Sequence, residues 1–97
     1  MTVSVSDWDA SEYLETEEDI AAYLNAVMAE DDTALLQAAL GDIAKARGMT
    51  SVAKEAGVGR ESLYKSLSAN GNPSFQTISK VSHALGLRMA FTPANTE

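Results

Sequence analysis

Thr50-Ser51-Val52-Ala53-Lys54-Glu55-Ala56-Gly57-Val58-Gly59-Arg60-Glu61-Ser62-Leu63-Tyr64-Lys65-Ser66-Leu67 is the stretch around which the chain is organised. It reads as two short helices joined by a tight turn. Thr50 or Ser51 is placed to cap the first helix, because a hydroxyl accepts from the unpaired N–H groups of a first turn. Gly57 stands where that helix must stop, and glycine enters the left-handed region without a steric penalty. Gly59 and its followers restart a helix. A glycine-containing turn of three to four residues between two short helices is the helix-turn-helix signature.

The second helix divides into two sides. At about 100° per residue, Leu63 and Leu67 share one face, with Glu61 and Lys65 roughly opposite. Arg60 stands at the N-terminal end, and Ser62 and Tyr64 flank the open face. One side packs while the other presents groups suited to phosphates or base edges, which is what a helix lying in a major groove requires. An ordinary helical hairpin in a small bundle is the alternative reading of the same spacing.

Working outward, Thr33 to Arg47 is rich in strong helix formers, with Leu36, Leu40 and Ile43 on one side. Asp31 or Asp32 caps it, and Gly48 ends it. Before it, Thr16 caps a helix with the acidic first turn Glu17-Glu18-Asp19, which suits the positive helix end. Ile20, Tyr23, Leu24, Val27 and Met28 then recur at helical spacing. That stripe serves either the chain's own bundle or a partner's groove. After the pair, Ser68 to Pro73 is a turn-rich loop marked by Asn-Gly and Asn-Pro. Ser74 caps a further helix carrying Phe75, Ile78, Val81 and Leu85, and Gly86 stops it. Thr2 to Ser6 and Leu87 to Phe91 alternate polar and apolar residues, so both are expected as short strands. Trp8, the only tryptophan, either anchors its segment on the core or meets a partner. The expected fold is all-α: a compact bundle of about five helices with short strands at the ends.

The 97 residues fit one domain, and no stretch approaches the ~20 apolar residues of a membrane span. Cysteine is absent, which excludes disulfides and thiolate chemistry. Met1 to Asp9 lacks the basic and apolar character of a secretory signal, so a cytoplasmic protein is expected. Net charge is −7, unpromising for a nucleic-acid partner until its distribution is examined. Met1 to Asp32 holds ten acidic residues and no Lys or Arg. Thr33 to Glu97 holds seven basic against four acidic residues, a net of +3. The first part suits a basic protein surface and the second could meet phosphates. His83 is the only histidine, and no His-Glu-x-x-His run or metal-ligand spacing occurs. No catalysis, metal or cofactor is expected.

The order of parts resembles the Cro/C1 repressor (XRE) type of helix-turn-helix domain. More narrowly, it resembles the HigA-like addiction-module antidote proteins, the antitoxins of type II toxin–antitoxin pairs. The residues that carry the likeness are Ser51-Val52-Ala53-Lys54-Glu55-Ala56-Gly57-Val58, Arg60-Glu61-Ser62-Leu63-Tyr64-Lys65-Ser66-Leu67 and Gly71-Asn72-Pro73-Ser74-Phe75. Trp8-Asp9 and Glu12-Tyr13-Leu14 also fit it. The resemblance implies a small, often dimeric antitoxin that neutralises a small basic RelE/ParE-like toxin and binds operator DNA to repress its own operon. It divides the chain into an acidic toxin-contacting segment (1–32), a helix-turn-helix DNA-binding domain (33–91) and a tail (92–97). Thr50, Ser51, Lys54, Arg60, Glu61, Ser62, Tyr64 and Lys65 are the expected DNA-facing residues. Trp8, Tyr13, Leu14, Ile20, Tyr23 and Leu24 are the expected toxin contacts. Two features depart from the pattern. An apolar residue is common where Ser66 stands, with Leu67 placed to take over its packing, and Glu61 at a base-facing position repels phosphate. A stand-alone regulator without a toxin, or an interaction module without DNA binding, are the other readings. A homodimer is expected, because one helix-turn-helix makes few contacts; the Leu87 to Phe91 strand or the last helix would form its interface.

Overall fold

The computed structural model describes residues 16–94. They form five helices: α1 (Glu17–Met28), α2 (Thr33–Arg47), α3 (Met49–Ala56), α4 (Arg60–Ser66) and α5 (Phe75–Ala84). α1 lies against α2, α2 against α3, and α3 against both α4 and α5. Ile20, Leu40, Ile43, Met49, Val52, Leu63, Leu67, Val81 and Leu85 meet in one core to which every helix or its flank contributes. Ile20 carries α1 into that same core, across the expected boundary at residue 32.

Helix starts follow local chemistry. Thr16 Oγ1 accepts from Asp19 N at 3.0 Å, and Ser74 Oγ accepts from Thr77 N at 3.0 Å. Of the two candidate aspartates, Asp32 caps α2: its Oδ1 accepts from Ala34 N at 3.0 Å and Leu35 N at 3.2 Å. Asp31 instead makes the bend, at a φ of 60°, a left-handed conformation that Asp tolerates better than most residues. Asp32→Ala should therefore cost about 1 kcal/mol, read as a lower denaturant midpoint at unchanged slope.

Helix ends use glycine as expected. Gly57 sits at φ 75°, with Val58 N donating to Ala53 O at 3.0 Å and Gly57 N to Lys54 O at 3.2 Å. Gly86, at φ 83°, repeats the pattern: Leu87 N donates to Ser82 O and Gly86 N to His83 O, both at 2.9 Å. In each, the first residue past the glycine returns to the core, Val58 in one case and Leu87 in the other.

Two expectations need correction. Neither Thr50 nor Ser51 caps the first helix of the pair; α3 begins at Met49, with Gly48 before it and no side-chain cap. Met49 is drawn into the core, and this pulls the helix start upstream of both hydroxyls. The Leu87 to Phe91 strand is also absent, and no strand occurs among the described residues. A strand needs a partner edge, and alternation supplies none. Leu87 docks on the core while Met89 and Phe91 stay exposed. The Thr2 to Ser6 strand lies outside the described residues.

Candidate nucleic-acid interface

α3 buries Met49, Val52, Ala53 and Ala56, which spends its apolar side on the core and leaves Thr50, Ser51 and Lys54 in solvent. α4 divides as its spacing predicts. Leu63 is 1% exposed, whereas Arg60, Glu61, Ser62, Tyr64 and Lys65 are all exposed. Every residue expected to face DNA thus lies on the surface of two consecutive helices. Glu61 and Lys65 stand one turn apart in the order that favours an acid–base pair on a helix surface. Ser66 turns its Oγ back onto Leu63 O at 3.1 Å. Leu67 enters the core in its stead, as expected for the departure at position 66.

Two contacts fix how α4 sits, and neither was evident in the sequence. Lys45, in the last turn of α2, holds its Nζ 5.3 Å from the centre of the Tyr64 ring, within cation–π range. This brings a further positive charge to the flank of α4, while Tyr64 remains 52% exposed. Gln37, also on α2, aims its Nε2 at the loop after α4. It donates to Ser68 O at 2.6 Å, Gly71 O at 3.1 Å and Ser66 O at 3.3 Å. The partners lie 29 to 34 positions away, a separation to which periodicity is blind.

Close approach completes the arrangement. A Cβ on Gly71 would collide with the backbone carbonyls of Lys65 and Ser66, and one on Gly41 would stand 3.2 Å from Leu67 O. Glycine at both positions lets α2 and the loop close onto the end of α4. The groove between α2 and α4, lined in part by Gly41, Asp42, Lys45, Tyr64 and Ser68, holds about 200 Å³. That is below the ~300–1,000 Å³ of ordinary small-molecule sites. Among the described residues no group of His, Asp or Glu could hold a metal ion. Among the described residues the exposed faces of α3 and α4 gather every residue expected to face DNA.

The expected partner contacts fare differently. Trp8, Tyr13 and Leu14 lie outside the described residues. Ile20 is 0% exposed, so it offers a partner no surface in this structure; with Val27 it is the part of the α1 stripe that the chain's own bundle covers. Tyr23 and Leu24 are half-buried against the core. Burial pushes the Tyr23 hydroxyl above its ordinary pKa of 10.0, and the Asp42 carboxylate adds to the shift. Met28, at the end of the stripe, is 57% exposed.

The family described as "probable addiction module antidote protein" matches residues 4–93. The chain belongs to this addiction-module antidote family. An uncharacterized protein of Haemophilus influenzae is 50% identical over 88 residues, covering 91% of each chain. No solved structure matches the chain. Membership of an antidote family implies a toxin partner. Among the described residues no helix is long and apolar enough to cross a membrane.

Proposed function

We propose that this chain is the HigA-like antitoxin of a type II toxin–antitoxin pair. It captures a small basic RelE/ParE-like toxin and, as a homodimer, binds operator DNA through a Cro/C1-type helix-turn-helix to repress its own operon. The observation that carries the DNA-binding half is the division of α4. Its apolar residue Leu63 is buried, and Arg60, Glu61, Ser62, Tyr64 and Lys65 are all turned outward. The antidote family supports the toxin-binding half. So does charge, because residues 1–32 hold ten acidic residues and no Lys or Arg, a composition that attracts a basic partner.

Co-expression with the neighbouring open reading frame tests the reading. The tagged chain should recover a small basic protein that is toxic when expressed alone, and should bind its own upstream DNA with an affinity that falls as salt rises. Recovery of the chain alone, still binding that DNA, would favour a stand-alone regulator. Toxin capture with no salt-dependent DNA binding would leave an interaction module.

A further inference from the structure

We infer that Gln37 is a positioning residue for DNA contact: it holds the loop Ser68–Asn72 so that its backbone amides, rather than its carbonyls, face a DNA phosphate. The inference rests on the proposed DNA-binding role of α4. The C-terminal end of any α-helix carries unpaired carbonyls and about half a negative charge. A helix laid along DNA therefore brings at its far end a group of oxygens that repel the phosphate chain.

Here the last two of those oxygens, on Lys65 and Ser66, are taken up, together with two carbonyls of the loop. Lys65 O accepts from Ser68 Oγ at 2.6 Å and Ser68 N at 3.2 Å. Ser66 O, Ser68 O and Gly71 O all point to one side-chain nitrogen, Gln37 Nε2. An amide nitrogen carries two hydrogens, so the three acceptors share them, and the shortest bond, 2.6 Å, goes to Ser68 at the start of the loop. Gln37 is half-buried on α2, so the three carbonyls are drawn inward. A trans peptide sets each N–H opposite the preceding C=O, so with Ser68 O and Gly71 O on Gln37 the amides of Ala69 and Asn72 turn the other way; both residues are exposed, and a backbone N–H suits a phosphodiester oxygen. Gly71, whose side chain would strike α4's last carbonyls, makes the tight return geometrically open. A capping role in stability alone would use the same bonds, so the test must read DNA contact in folded protein.

Gln37→Met keeps the length and removes the donor. The probe is a labelled duplex of the chain's own upstream region, titrated at several salt concentrations at a temperature where circular dichroism shows the variant fully helical. Affinity should fall about tenfold at every salt concentration, with the salt slope unchanged, because neutral amides bring no cation to the phosphate and release no counterion. In the unsubstituted protein, the amide resonances of Ala69 and Asn72 should shift when the duplex is added. Unchanged affinity in folded Gln37→Met, or unshifted loop amides with DNA bound, would overturn the inference. Should Gln37→Met not fold, the amide shifts of the unsubstituted chain decide alone. Arg60→Ala is the control that separates the two levels. If the unsubstituted chain binds no better than Arg60→Ala, the DNA-binding reading fails and takes this inference with it. If Arg60→Ala weakens binding and Gln37→Met does not, only the inference fails.

Discussion

Leu63→Ala should lower the melting temperature by about 8–40 °C. A buried Leu→Ala change costs about 2–5 kcal/mol, because the lost transfer energy adds to that of the cavity left behind. A kcal/mol is worth roughly 4–8 °C in a domain of this size. Leu63 is 1% exposed and packs in the core with residues from the other helices. It is the only buried residue within a seven-residue helix, and it shares the seating of α4 with Leu67 just beyond the helix end. A whole domain of this length has only about 5–15 kcal/mol of stability, so a considerable share rests on this one side chain. Leu63→Met, nearly conserving volume, should cost under about 1.5 kcal/mol. Differential scanning calorimetry checks both. Equal melting temperatures for Leu63→Ala and the parent would mean that α4 is not seated on the core as described.

The paired change Arg60→Ala with Lys65→Ala should nearly abolish upstream-DNA binding while leaving melting and toxin capture intact. Both side chains are exposed, and exposed substitutions away from caps and packing usually stay within about 0.5 kcal/mol of stability. Their expected effect on DNA is larger. An arginine reading a base edge is worth about 1–3 kcal/mol, or roughly 5- to 150-fold in affinity. Loss of a lysine on phosphate weakens all sequences alike and reduces the salt slope by about 0.9. The single variants separate the roles: Arg60→Ala should relax sequence preference, and Lys65→Ala should not. Electrophoretic mobility shifts on the upstream duplex and on a scrambled duplex would show this. Loss of both DNA binding and toxin capture in a folded double variant would count against separate surfaces.

The sequence made legible whatever depends on neighbours along the chain. Thr16, Asp32 and Ser74 cap as their positions require, and Gly57 and Gly86 close their helices, because each bond spans only a few residues. The two faces of α4 were equally readable, since spacing alone separates Leu63 from Lys65. Failures arose where a distant group decides the outcome. Met49 belongs to the core and moved the start of α3 past two good capping hydroxyls. Leu87 to Phe91 alternates like a strand but meets no partner edge among the described residues. Gln37 is one polar position in a helix-rich stretch, and only the return of the chain some thirty residues later supplies its partners. The α1 stripe shows the same limit from another side. Periodicity marked Ile20 as needing cover, but not whose surface would cover it.

Gly86 approaches Glu17 so closely that a Cβ there would stand 2.8 Å from the Glu17 Cγ. This contact joins the start of the first helix to the turn after the last. Bringing such distant positions together costs loop-closure entropy that no local contact offsets. The α2–α3–α4 contacts join near neighbours along the chain, so they can assemble first, and the ring closed by α1 and α5 is expected to close last. Interactions formed after the rate-limiting step govern how quickly a protein comes apart rather than how quickly it forms. Crowding the Gly86 turn should therefore speed unfolding while leaving the folding rate almost untouched. How long the helices proposed to face DNA persist would then depend on a seam in which they take no part.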